Sequence, residues 1–257
     1  AYEEAKYYCQ PRYVASGKQG KLFTRIPAPS EWQLDPNAAF LHITTNNTIE
    51  GVQYHFEPPS VKVPVIADMS SDFLWKPFDA NKYQFIYAGA QKNIGPSGVV
   101  VVIAKKELLN RERNDLPVIF RYKTFAENNS LYNTPPTFGI YLIHHVLQWV
   151  KESGGLAQVE ARNRKKGDML YGLLDSKPDF FHCPVEKEHR SYMNVVFRLP
   201  SEELENLFVK ESEKAGLIGL KGHRSVGGLR ASLYNAVSVA DVEKLCTFAE
   251  EFAKKHQ

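Results

Sequence analysis

Cysteine is scarce in this chain: there are three in 257 residues, and Cys9, Cys183 and Cys246 lie far apart. No C-x-x-C pair and no histidine at zinc-finger spacing accompanies them, which excludes a thiolate zinc site and a disulfide framework and leaves no metal expected. Reduced thiols in a cytoplasmic protein are the expectation. No apolar run approaches the roughly 20 residues needed to span a bilayer, so no association with a membrane is expected. The polar, helix-like start Ala1–Lys6 does not resemble a secretion signal. Neither sign of charge dominates: 32 basic residues face 29 acidic ones, for a net charge of +3, and long single-sign blocks are missing. That balance argues against nucleic acid as a partner, so an anionic ligand has to be met by local residues. The phosphate loop G-x-x-x-x-G-K-[ST] and the dinucleotide fingerprint G-x-G-x-x-G are also missing, as is any internal repeat.

What is present is an apolar share of 43%, enough for sizeable cores, arranged as strand-like runs that alternate with helical ones. That alternation predicts an α/β protein. Strands are expected at Val61–Ala67, ending at Asp68, at Tyr83–Tyr87 and at Gly98–Ala104, with the near-continuous apolar character of strands buried on both faces. After Pro135-Pro136, apolar residues at helical spacing predict a helix over Thr137–Lys151 that stops at Gly154-Gly155, and the domain boundary is placed there, giving units 1–153 and 154–257. Beyond it, the pattern predicts a long charged helix over Leu156–Leu174 with Arg162–Lys166 as a solvated basic side, a strand over Tyr192–Leu199, and a helix over Glu202–Lys214. Two strand-like pieces follow, near Leu217–Lys221 and Leu229–Leu233, and then a closing helix over Val239–Lys255 that Ser238 can cap. Trp32, Trp75 and Trp149 are expected in the core, and Cys183, beside Pro184, in a surface loop.

Three places carry chemistry. Lys92 follows the small residues Ala88-Gly89-Ala90 at the end of a strand, and the turn Gly95-Pro96-Ser97-Gly98 closes the segment behind it. A planar ring can approach such a lysine. Partial burial beside another cation would lower its pKa, as formation of a Schiff base with pyridoxal phosphate (PLP) requires. An ordinary solvated lysine is the alternative. Asp68 ends a buried strand, where a carboxylate needs a partner. The pyridinium nitrogen of PLP is one, and a turn or helix-cap role is the other reading. The stretch Lys221-Gly222-His223-Arg224-Ser225-Val226-Gly227-Gly228-Leu229-Arg230 combines two arginines suited to bidentate capture of carboxylate or phosphate with glycines that admit backbone amides. A solvated basic hairpin accounts for it equally well.

Beyond these single features, the segments Tyr87–Pro96, Tyr132–Phe138 and Lys221–Tyr234 resemble phosphoserine aminotransferase motifs and fall in that family's order. Asn47–Gly51 and Ile66–Ser71 fit as well. The resemblance implies the PLP-dependent transferase fold type I, class V: a mixed, mostly parallel sheet flanked by helices, with a smaller C-terminal α+β domain. It implies Lys92 as the Schiff-base lysine, Gln91 on the cofactor phosphate, Asp68 on the pyridine nitrogen and Thr48 on the phenolic oxygen. Asn133 and Thr134 would reach the PLP phosphate in a second subunit of a homodimer. His223 and Arg224 would bind the distal phosphate of phosphoserine or the distal carboxylate of glutamate, and Arg230 the α-carboxylate.

The implied activity is PLP-dependent transamination between glutamate and 3-phosphohydroxypyruvate, yielding 2-oxoglutarate and phosphoserine for serine biosynthesis, with a related role in pyridoxine biosynthesis. Asn47 and Met69 stand where many relatives carry glutamate and phenylalanine. The resemblance also implies that a part supplying a phosphate loop, a stacking aromatic and an arginine precedes Ala1. A chain without it is expected to bind PLP weakly and to have negligible activity. Two alternatives come from other classes: a fold type I aminotransferase or desulfurase acting on a small unphosphorylated amino acid, which has no need of His223-Arg224, and a cofactor-free dimerisation partner.

Overall fold

The computed structural model describes residues 1–256. Its first core is built on a four-stranded sheet of β1 (Leu41–Thr44), β2 (Val65–Asp68), β3 (Phe85–Gly89) and β4 (Val100–Ala104), in that spatial order. The first three strands are parallel and β4 runs antiparallel to β3. The register sets Thr44 beside Asp68 and Asp68 beside Tyr87, so three parallel strands end level with one another. Ligands of open α/β sheets gather beyond such carboxyl ends. Leu41, Ile43, Val65, Ala67, Ile86 and Ala88 bury the sheet's inner positions against Ala90, Ile94 and Ile143.

The helix α1 (Thr137–Glu152) packs on this core through Ile143, and α2 (Gly155–Ser176) follows after Gly154, which adopts the left-handed conformation at φ 93°. A second core lies beneath the antiparallel pair β5 (Asn194–Phe197) and β6 (Leu229–Ser232). Phe197, Phe208, Leu170, Leu174, Leu245 and Phe252 fill it, supplied by β5, α2, α3 (Glu202–Lys214) and α4 (Val239–His256). Helices α3 and α4 of this half start as their residues dictate. Ser201 Oγ accepts the Leu204 N–H at 3.3 Å, and Ser238 and Asp241 cap one another reciprocally, satisfying N–H groups that the first turn leaves unpaired.

The structure departs from the sequence-based expectations in several places, the first being β1, a strand not expected at Leu41–Thr44. β4 is not buried on both faces, since Val100 is 60% exposed; it is the outermost strand of the sheet, and an edge has a neighbour on one side only. Leu217–Leu220 forms no strand, because Gly216 and Gly219 take φ of 78° and 79° and break the extended run, leaving one bridge between Lys221 and Leu229. Within the basic run of α2, Asn163 and Lys166 are buried rather than solvated. Trp149 is exposed on the surface of α1, with the Arg162 guanidinium over its ring at 5.3 Å, whereas Trp75 is buried. Cys183 packs against the second core, and burial pushes its thiol up to about 11. Among the described residues, no helix is long and apolar enough to cross a membrane.

Candidate active site

The site is assembled where the parallel strands end. After β1 the chain turns at Thr45, whose N–H donates to Asp68 O at 3.0 Å. The following reversal, Asn46–Asn47 paired with Val52–Gln53, carries Thr48 at its tip and is closed by Gly51. Glycine is required there twice over: φ is 73°, and a Cβ would lie 2.6 Å from Asn194 O. After β2, Asp68 Oδ1 accepts the Ser70 N–H at 2.9 Å. The Asp68 carboxylate also faces the Tyr87 hydroxyl, which pairs with His42 Nε2 at 2.9 Å. The turn role leaves part of this side chain uncommitted to backbone, because the Ser70 N–H engages Oδ1 alone.

After β3 the chain folds tightly around Ala90, whose carbonyl accepts from the Ile94 and Gly95 N–H groups. A Cβ on Gly95 would meet Ile143 Cγ1 at 2.6 Å, so α1 lies directly against this turn. Lys92 projects from it, and its Nζ donates to Thr48 Oγ1 at 2.7 Å. Burial, and then the Arg230 guanidinium, hold the Lys92 ammonium below the usual lysine range, while the Asp68 carboxylate opposes them. Gln91 is exposed, with its amide folded back over Gly89.

Arg230 reaches the same place from β6, with Nη1 on Thr48 O at 3.4 Å. Its Nε is buried and has no hydrogen-bond partner among the described residues. A buried guanidinium N–H without an acceptor is costly, and a carboxylate is the group that satisfies it best. The loop before β6 is held by Gly222 N–H on Gly228 O and by Gly227 N–H on His223 O, both at 2.8 Å. His223 lies near enough to Glu50 to act on its charge, which sets the loop tip above the Thr48 turn, while Arg224 is exposed. Beside Lys92 a cleft of about 610 Å³ runs along α1, lined by Gly95, Pro96, Leu142, His145 and Trp149.

Thus Thr48, Asp68, Lys92 and Arg230 converge, with His223 at the rim. Asn133 and Thr134 do not join them: both are exposed before α1, and the hydrogen bond there runs from Asn133 Nδ2 to Thr134 O. Sequence reasoning missed Tyr234, whose hydroxyl lies among Thr48, Asn194 and Ser232 and whose pKa is raised by burial. It also missed the Tyr87–His42 pair behind Asp68. Tyr87 sits directly before the small-residue run, but nothing local shows that its ring crosses to β1.

These residues offer a primary amine, a carboxylate, a hydroxyl and an orphaned guanidinium around one opening, a donor set that fits PLP and an amino-acid carboxylate. Comparison with known proteins points the same way. Residues 12–245 match the family described as Aminotransferase class-V. The phosphoserine aminotransferase of Desulfatibacillum aliphaticivorans is 52% identical over 257 residues, all of this chain and 70% of that protein. The solved phosphoserine aminotransferase of Bacillus circulans subsp. alkalophilus superposes with a TM-score of 0.90 at 51% identity, over 91% of this chain and 65% of that one. The PLP-bound enzyme of Trichomonas vaginalis gives 0.90 at 36% identity, over 97% and 71%. The chain therefore spans between 65% and 71% of the length of these relatives. The mixed, mostly parallel sheet with helices around it is the architecture of fold type I. On sequence and structure together, the chain belongs to the class-V aminotransferases and, within them, to the phosphoserine aminotransferase family.

Proposed function

We propose that this chain forms the cofactor- and substrate-binding framework of a PLP-dependent phosphoserine:2-oxoglutarate aminotransferase of serine biosynthesis. The observation that carries the reading is the meeting of Lys92 and Arg230 at Thr48, beside Asp68 at the end of a parallel strand. The cofactor is pyridoxal 5′-phosphate. When bound, PLP supplies an electron sink for the electron pair released at the substrate α-carbon. Asp68 holds the proton on the ring nitrogen and Thr48 hydrogen-bonds the phenolic oxygen. Gln91 touches the cofactor phosphate.

Lys92 Nζ is both the attachment point and the base that takes the α-proton, a role that a lowered amine pKa suits near neutral pH. Arg230 binds the α-carboxylate through its unpaired N–H. His223 and Arg224 bind the distal anion, a phosphate in phosphoserine and 3-phosphohydroxypyruvate and a carboxylate in glutamate and 2-oxoglutarate. A single rim then serves both half-reactions, because each substrate is an anion on a short stem. The substrates are small molecules.

Three finer readings belong to the same proposal. Residues 1–153 form the cofactor-binding domain and 154–257 the second domain, a division supported by the two separate cores. The working unit is a homodimer in which Asn133 and Thr134 reach the partner's cofactor phosphate, supported by their exposure and by Phe138, 72% exposed on the adjoining turn of α1. A reducing cytoplasmic setting is supported by three cysteines that are all free thiols.

Borohydride reduction of the chain equilibrated with PLP, followed by peptide mapping, tests the reading. The label is expected on Lys92, and Lys92→Ala is expected to lose it. Phosphoserine should protect Lys92 at concentrations about tenfold below serine, the difference that charge-assisted contacts to its phosphate provide. A label on other lysines only, or equal protection by serine, would overturn it.

A further inference from the structure

Behind Lys92 lies an arrangement that the roles above do not use. The segment following Asp68 presents three successive carbonyls, Phe73 O, Leu74 O and Trp75 O, and each is met by a different asparagine. Asn93 Nδ2 donates to Phe73 O at 2.8 Å, Asn235 Nδ2 to Leu74 O at 3.1 Å and Asn163 Nδ2 to Trp75 O at 3.0 Å. The three amides are also joined to one another. Asn93 Oδ1 accepts the Asn235 N–H at 2.9 Å, and Asn235 Oδ1 accepts from Asn163 Nδ2 at 2.8 Å. All three side chains are buried.

The segment they hold is itself unusual, because Leu74 has φ 61°, a left-handed conformation that a leucine keeps only where its surroundings enforce it. The asparagines come from three places, the turn bearing Lys92, helix α2 and the loop after β6. That last loop is fixed from beneath by Lys166, whose Nζ donates to Leu233 O, Tyr234 O and Val237 O at 2.8, 2.9 and 3.0 Å. Asparagine suits these positions chemically. Each Nδ2 donates to a carbonyl and the Oδ1 atoms of Asn93 and Asn235 accept, whereas aspartate would bury another negative charge near Asp68 and Asp72.

We propose that Asn93, Asn235 and Asn163 form a clasp that positions Lys92: Asn93 fixes the backbone one residue beyond the amine, and Asn235 and Asn163 lock Asn93 to the segment behind Asp68 and to the second core. The proposal rests on Lys92 as the cofactor-linked amine, and it makes the three asparagines positioning residues rather than catalytic ones. The clasp holds Nζ against Thr48 and keeps it half-buried, where its pKa is depressed. Loosening it lets the lysine reach solvent and lose its aim.

The test follows the Lys92 Cε resonance of the full chain, labelled with [13Cε]lysine and assigned by Lys92→Arg, through a pH titration without cofactor, alongside the rate of borohydride-trapped attachment of PLP. In Asn93→Ala the titration midpoint is expected to rise toward the ordinary lysine value, and the trapping rate at neutral pH to fall about fivefold or more, as misaligned reacting groups do. A folded Asn93→Ala protein with a lower melting temperature but an unchanged midpoint and trapping rate would overturn the clasp, since a purely structural role moves stability alone. Should Asn93→Ala fail to fold, Asn163→Ala serves in its place. It leaves Asn93 intact and removes the far link, with the same direction of change expected at about twofold; an unchanged midpoint and rate there overturn the proposal too. If wild-type Lys92 is not trapped at all, the cofactor reading fails, and the midpoint arm still decides the clasp.

Discussion

Asp72 is the most deeply buried carboxyl near the site, and its chemistry is set by what surrounds it. It accepts from Thr45 Oγ1 at 2.5 Å and from Gln53 Nε2 at 3.1 Å. Burial nevertheless dominates and pushes its pKa up to about 6 from an ordinary 3.8, with the Asp68 charge adding to the rise against those two hydrogen bonds. A raised carboxyl pKa means that the folded chain binds more protons than the unfolded one between those two values. Stability from this group therefore increases as pH falls through 6 and is lost as pH rises above it. Asp72→Asn removes the titration. The wild type is expected to gain on the order of 1 kcal/mol relative to Asp72→Asn between pH 7 and pH 5, read from urea midpoints of the cofactor-free chain. A difference that stays constant with pH would show that Asp72 titrates normally. None of this was legible beforehand, because Asp72 reads as one polar residue in a Ser-Ser-Asp turn until Thr45 and Gln53 are brought over it.

Among the elements, the reversal that bears Thr48 depends on Gly51. With φ at 73° and Asn194 O 2.6 Å from where a Cβ would stand, Gly51→Ala combines backbone strain with a collision against the second core. The expected cost is about 2 kcal/mol in denaturant unfolding, accompanied by slower trapping of Lys92, because Thr48 is displaced. A stability change within about 0.5 kcal/mol would mean that the reversal adapts. Helix α3 was predicted to span Glu202–Lys214 and does so; Ser201, three early acidic residues and a late lysine are strictly local signals. The buried face of α2 was also written in its spacing, since Val159, Asn163, Lys166, Gly167, Leu170 and Leu174 fall on one helical stripe. Composition alone concealed it: a run of four basic residues around one asparagine resembles a solvated face, and only the period of the apolar residues on either side reveals that two of the five point inward.

For the molecule as a whole, that stripe matters because Lys166 links the second core to the loop after β6. Its ammonium has three main-chain carbonyls within hydrogen-bond distance. Lys166→Met keeps the volume and removes the donors, leaving Leu233 O and Val237 O without the ammonium while Tyr234 O keeps the Val237 N–H. The loss is expected to be about 3 kcal/mol, measured as a fall in the urea midpoint; a loss below about 1 kcal/mol would mean that water replaces the ammonium. The two cores are further joined by Asn46, whose amide donates to Ser71 Oγ and to Asn194 Oδ1, both at 2.8 Å. The opening around Lys92 is thus backed by buried, satisfied polar groups. Such a network rigidifies when complete and is costly when broken, which suits a site that must hold an amine, a carboxylate and a guanidinium in fixed relation.

The sequence by itself determined the alternation of strands and helices, the caps, the small residues around Lys92 and the identity of the chemically active groups, because each depends on neighbours within a turn or a strand. Tertiary structure alone decided that Thr48 and Lys92, 44 positions apart, and Thr48 and Arg230, 182 apart, share one opening. It also decided that β4 is an edge and that burial holds the Lys92 amine below the usual lysine range. Burial and proximity are properties of packed elements, and the charge state of a side chain follows from both.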